Sequence, residues 1–85
     1  MYLHLGQEVI VPESTVIGIY DMDTATWSKH TRAFMSALER AGQVKALFDD
    51  LPKSGILCQE GGVTTLYLSQ LSTATLRGRS EQGEF

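Results

Sequence analysis

A single cysteine, Cys58, stands in the 85-residue chain. One thiol makes no internal disulfide, and the two histidines, His4 and His30, add no ligand cluster around it. No apolar run approaches the roughly 18 residues that a membrane-crossing helix needs. The opening Met1-Tyr2-Leu3-His4-Leu5-Gly6 has neither a basic leader nor a cleavage site, so no secretory signal is expected. These absences predict a cytoplasmic chain with no membrane contact. Basic residues are scarce too. Seven Lys and Arg against ten Asp and Glu leave a formal net charge of −3. Composition therefore gives no support for general nucleic-acid binding and leaves room only for a local basic patch. With 42% hydrophobic residues the chain is too apolar for disorder, and its length allows one domain.

Catalytic signatures are missing as well. Gly61-Gly62 lacks the Lys-Ser/Thr and helix of a phosphate loop, no serine occupies a nucleophile elbow, and no motif calls for a cofactor. Asp21-x-Asp23 reads as turn and cap chemistry, because a calcium loop would add Gly and Glu at set positions. Cys58 lies in an apolar stretch and reads as a small buried residue. The expectation is a protein with no enzyme activity, no metal, no cofactor and no small-molecule substrate.

What is present is patterning. Leu3 and Leu5 alternate with Tyr2 and His4 as in a half-buried strand, and Gly6-Gln7 suits a type II′ turn into a second strand ended by Pro12. Val16–Tyr20 is apolar on both faces, which predicts a central strand or one covered by a helix or partner. Thr26 or Ser28 can cap a helix over about 28–41, whose core stripe is Trp27, Thr31, Phe34, Leu38 and Ala41 with Met35 beside it. Gly42 stands at its left-handed cap. Further strands are expected over 44–48, from Ile56, and over 64–69, the last two joined by a hairpin at Glu60-Gly61-Gly62. Ser72 caps a short last helix to about Gly78. The fold class is α+β, a small mostly antiparallel sheet of hairpins with one amphipathic helix, in a single domain over 1–79 with a disordered tail over 80–85. One helix covers one sheet face, which predicts a homo-oligomer.

The basic residues carry the functional reading. Lys29 and Arg32 share a helix face with Arg40, Lys53 stands in the loop before the fifth strand, and Arg77 and Arg79 close the last helix. Solvated faces and helix-end complementation account for them individually. Repeated around a closed assembly, one or two per subunit become a phosphate-contacting track.

The ordered set resembles a known family. Met1-Tyr2-Leu3-His4-Leu5-Gly6, Val9-Ile10-Val11-Pro12, Gly18-Ile19-Tyr20-Asp21, Ser28-Lys29-His30-Thr31-Arg32 with Phe34, Leu51-Pro52-Lys53-Ser54, and Tyr67-Leu68-Ser69 with Ser72-x-x-Thr75-Leu76 are similar to the RemB branch of the RemA/RemB family, over about residues 1–79. The resemblance implies a small bacterial cytoplasmic regulator of extracellular-matrix (biofilm) genes. It also implies a ring-shaped homo-oligomer that binds duplex DNA, weakly sequence-specific at best. The RemA branch carries arginines in the loop before the fifth strand and near the start of the third. Here those stretches read Leu51-Pro52-Lys53-Ser54 and Glu13-Ser14-Thr15, and Lys53 is a point charge without the arginine fork. The expected DNA-contacting residues are Lys29, Arg32 and Lys53, then Arg77 and Arg79. The alternative is a scaffold oligomer that does not bind DNA, which the acidic charge balance favours.

Overall fold

The computed structural model describes residues 1–22, 29–49 and 51–82, and of residues 79–82 the backbone. Alternation builds the first unit. In β1 (Tyr2–Gly6) Leu3 and Leu5 are buried while Tyr2 is exposed. β2 (Val9–Pro12) returns antiparallel and pairs Leu3 with Val11 and His4 with Ile10. The turn departs from the expected type II′. Its central residues are Gln7 and Glu8, both left-handed with φ of 50° and 64°. Two left-handed residues in succession are the type I′ geometry, whose twist matches that of the flanking strands. Gly6, at φ 108°, sits instead at the register shift beside the turn. There the Phe48 ring lies 3.5 Å from where a side chain on Gly6 would begin.

A 3-10 turn over Glu13–Thr15 leads on, with the Thr15 hydroxyl donating to the Pro12 carbonyl at 2.7 Å. β3 (Val16–Asp21), α1 (Lys29–Arg40), β4 (Val44–Ala46), β5 (Ser54–Glu60), β6 (Val63–Ser69) and α2 (Thr73–Gln82) follow. The four later strands form one sheet in the order β3-β5-β6-β4. β5 runs antiparallel to both β3 and β6, whereas β4 joins β6 in parallel. β3 and β4 therefore run the same way at opposite edges, and α1 is the crossover between them. The class is α+β, as the patterning predicts.

The helix ends are readable in the residues. Gly42, at φ 73°, lets the Gln43 N–H donate to the Leu38 carbonyl (2.9 Å) and its own N–H to that of Glu39 (3.1 Å), a Schellman cap. The Ser72 hydroxyl accepts the Thr75 N–H at 3.1 Å and caps α2. α2 passes the expected stop at Gly78 and reaches Gln82, inside the stretch expected as tail. A lone glycine weakens a helix by about 1 kcal/mol and does not have to end it. The caps at Thr26 and Ser28, and residues 83–85 of the tail, lie outside the described residues.

Period-two alternation divides the core into two. Ile56, Cys58 and Tyr67 meet Leu3, Leu5 and Val11 of the hairpin and Leu76 of α2. Leu57 and Leu66 face the other way, under Leu38 and Met35 of α1. The large sheet is thus a middle layer, and the cover that the sequence leaves missing comes from the β1–β2 hairpin together with α2. Ser69 stitches the layers, since its buried hydroxyl donates to the Leu5 carbonyl at 2.7 Å and accepts the Leu71 N–H at 3.1 Å. Its register partner Ser54 is equally buried, but its hydroxyl has no hydrogen-bond partner among the described residues.

Two packing expectations change. β3 is an edge strand, with Ile17 57% exposed at a bulge between Val16 and Gly18. Along α1, Leu38 is buried with Thr31 and Met35 half-buried, whereas Phe34 is 46% exposed and Ala41 is exposed. The helix packs through the 31-35-38 stripe, which turns Phe34 to the rim. Trp27 lies outside the described residues.

Candidate nucleic-acid interface

Lys53 is held by its backbone. Its N–H donates to the Ser69 carbonyl at 2.8 Å, and its carbonyl accepts the Met22 N–H at 2.9 Å. These two bonds continue the sheet by one rung, at the end where β3 and β6 finish and β5 begins. The Lys53 side chain is exposed there.

Topology sets the helices around that end. α1 follows the end of β3 and must return to start β4 in the same direction, so its N-terminus stands toward the Lys53 end of the sheet. That N-terminus carries exposed Lys29 and Arg32. α2 begins three residues after β6, so its N-terminus starts from the same end. Neither helix has an acidic residue in its first turn, so both present the positive end of their dipole unneutralised from within.

The five expected contact residues do not form one surface. Lys29, Arg32 and Lys53 share an end of the sheet. Arg77 is exposed on α2, which packs through Leu76 on the face opposite α1. The side chain of Arg79 lies outside the described residues. Arg40 is exposed in the last turn of α1, away from that end. One cation follows no sequence pattern: Lys45 is exposed on β4 with its Nζ 6.0 Å from the centroid of the Tyr67 ring. A lone lysine in a three-residue strand gives no periodicity by which to find it. The Lys53 end also holds carboxylates: exposed Asp21 is in register with Ser54, and exposed Asp49 precedes the loop. Asp23, Ser28 and Asp50 lie outside the described residues. The chemistry available is contact with phosphates by lysine and arginine, which fixes position and reads no sequence.

The remaining polar candidates are scattered. His4 is on β1 and His30 on α1, on opposite sides of the large sheet. Among the described residues no group of three or more His, Cys, Asp or Glu side chains is placed to hold a metal ion. Burial pushes the Cys58 thiol above its usual range, with the Glu60 charge adding and a hydrogen bond with the Thr15 side chain opposing. That makes a weak nucleophile at neutral pH. Among the described residues no helix is long and apolar enough to cross a membrane. On the outer face of the hairpin Tyr2 and Ile10 are more than half exposed, beside Met1.

Compared with known proteins, the chain matches no family model and no curated protein.

Proposed function

We propose that the chain is an oligomeric DNA-binding regulator of the RemB type, cytoplasmic, acting on extracellular-matrix genes and contacting duplex DNA mainly through phosphates. The observation that carries this reading is the backbone anchoring of Lys53 at the sheet end from which both helices start. An exposed lysine on a fixed backbone loses only side-chain freedom when it meets a phosphate. Lys29 and Arg32 supply two further cations toward the same end. Arg77 and Arg79 sit on a helix across the sheet and are secondary contacts. Three cations beside Asp21 make a weak site in one subunit, and repetition around an assembly makes it adequate. The exposed apolar residues Tyr2, Ile10, Ile17 and Phe34 support such an assembly, because association would remove them from water.

Fluorescence anisotropy with promoter-length duplex DNA across a salt series tests the reading. Affinity falls steeply with salt, and Arg32→Glu with Lys53→Glu lowers it by roughly tenfold or more. The same pair of changes flattens the salt slope by about 0.9 for each phosphate that is no longer neutralised. Unchanged affinity in the double variant removes these residues from the interface. Absence of binding at low salt transfers the weight to the second reading, a scaffold oligomer that leaves DNA alone. The same exposed apolar residues and the carboxylates at the Lys53 end favour that reading.

A further inference from the structure

The sheet end remote from Lys53 carries a feature that DNA binding does not use. A pocket of about 180 Å³ opens between β2, the 3-10 turn and the hairpin joining β5 to β6. Val11 and Val63 line it together with the hydroxyl-bearing residues Thr15, Thr65 and Tyr67. The Cys58 thiol forms part of the lining, and Glu60 is the one charged residue there. The volume falls below the roughly 300 Å³ at which sites for drug-sized ligands begin. Only a compact molecule fits.

The lining selects by charge. A small anion would meet the Glu60 carboxylate with no facing cation. Lys45, whose Nζ lies 6.0 Å from the Tyr67 ring centroid, is not part of the wall. An apolar guest would leave the Thr65 and Tyr67 hydroxyls without use, since the Thr15 hydroxyl already donates to the Pro12 carbonyl. An ammonium group answers the carboxylate and can lie against the phenol ring, while a neighbouring hydroxyl on the guest can exchange hydrogen bonds with threonine. The Glu60 charge contributes to holding both the Cys58 thiol and the Tyr67 phenol protonated, the sign of a local negative potential.

We propose that this pocket binds a compact organic ammonium ion bearing a hydroxyl, with Glu60 receiving the ammonium, Thr15 and Thr65 the hydroxyl, and Tyr67 flanking the cation. Glu60 is solvent-exposed, so screening keeps the affinity low. The site is separate from the Lys53 end and stands whether or not the chain binds DNA.

The test is an amide chemical-shift titration of the full chain with 2-aminoethanol hydrochloride at constant ionic strength. Sodium acetate serves as the anionic control and ethylene glycol as the neutral one. Saturable shifts are expected at Cys58, Thr65 and Tyr67 with the amine alone. Glu60→Gln, in an exposed position that tolerates the change, weakens binding roughly tenfold. Lys45→Ala removes a repelling charge and strengthens it roughly twofold to threefold. Val63→Phe, at a half-exposed position, fills the mouth and abolishes the shifts. Saturation by acetate with loss on Lys45→Ala would show an anion site and overturn the assignment. Equal response to ethylene glycol, shifts confined to other residues, no shifts at all, or binding that survives Val63→Phe would also overturn it.

Discussion

Ser69 and Ser54 stand opposite one another in the β5–β6 ladder, both at 0% exposure, and alanine should affect them in opposite ways. At Ser69 the change deletes the donor to the Leu5 carbonyl and the acceptor of the Leu71 N–H. A net hydrogen bond contributes about 0.5–1.5 kcal/mol, and a buried group stripped of its partner costs about 1–3 kcal/mol. Two bonds removed together place Ser69→Ala at about 2–3 kcal/mol of destabilisation. At Ser54 the deleted hydroxyl has no partner, so its removal ends an unmatched desolvation, and Ser54→Ala falls within about 0.5 kcal/mol of the parent or above it in stability. Urea unfolding followed by far-UV circular dichroism measures both, at one protein concentration because association shifts the midpoint. In a domain this small about 1 kcal/mol corresponds to about 4–8 °C in Tm, so Ser69→Ala should melt at least roughly 8 °C lower. Should Ser69→Ala match the parent, or should Ser54→Ala lose more than about 1 kcal/mol, the hydrogen-bond assignment at this junction is wrong.

Two further outcomes follow from the same structure. Gln7 and Glu8 both hold the left-handed conformation that asparagine and glycine adopt at far lower cost, so Gln7→Asn with Glu8→Gly should stabilise the chain by about 1–2 kcal/mol; a loss in thermal midpoint would refute the type I′ turn. Cys58 and Tyr67 both titrate above their usual ranges, in each case chiefly through burial, with Glu60 adding to both. A raised folded value favours the neutral form, so this contribution is complete below the unfolded value and is lost as pH climbs through the folded one. The urea midpoint should therefore fall on the alkaline side, above about pH 8.5 for the thiol and about pH 10 for the phenol, and a midpoint rising across that interval contradicts it.

The element order is legible because each element announces itself locally. Alternation in Tyr2–Leu5, Gly42 after the amphipathic run and Ser72 three residues before Thr75 act through neighbours in the chain, and the structure uses each as its chemistry suggests. Pairing between distant segments is not legible. Apolarity on both sides of Val16–Tyr20 argues for a central strand or one covered by a helix or a partner; the sheet order makes it an edge strand and gives a central place to β5, whose burial runs unbroken from Ser54 to Cys58. The uncovered sheet face follows from the helix count alone. That β1 and β2 leave the main sheet and lie across it depends on contacts more than forty residues apart, such as Ser69 with Leu5. The turn type escapes for a related reason. Gly6 has the composition of a turn residue, but what favours glycine there is a φ of 108° at the register shift beside the turn, since a side chain would meet Phe48 only at ordinary contact distance.

For the candidate site, residue type is readable and convergence is not. Lysines and arginines can be counted along a chain, but whether Lys53 joins Lys29 or Arg77 depends on the crossover that turns α1 back toward the end of β3. The anchor of Lys53 is more remote still from any local signal. Its N–H ends on the Ser69 carbonyl, and the Ser69 hydroxyl ends on Leu5, so the hairpin, β6 and the lysine loop share one residue. The carbonyl that holds Lys53 belongs to the backbone and survives Ser69→Ala, so in a chain that remains folded Ser69→Ala and Ser54→Ala should both leave DNA contact intact, and a loss confined to Ser69→Ala would show that the hydroxyl bond to Leu5 also holds the lysine loop in place.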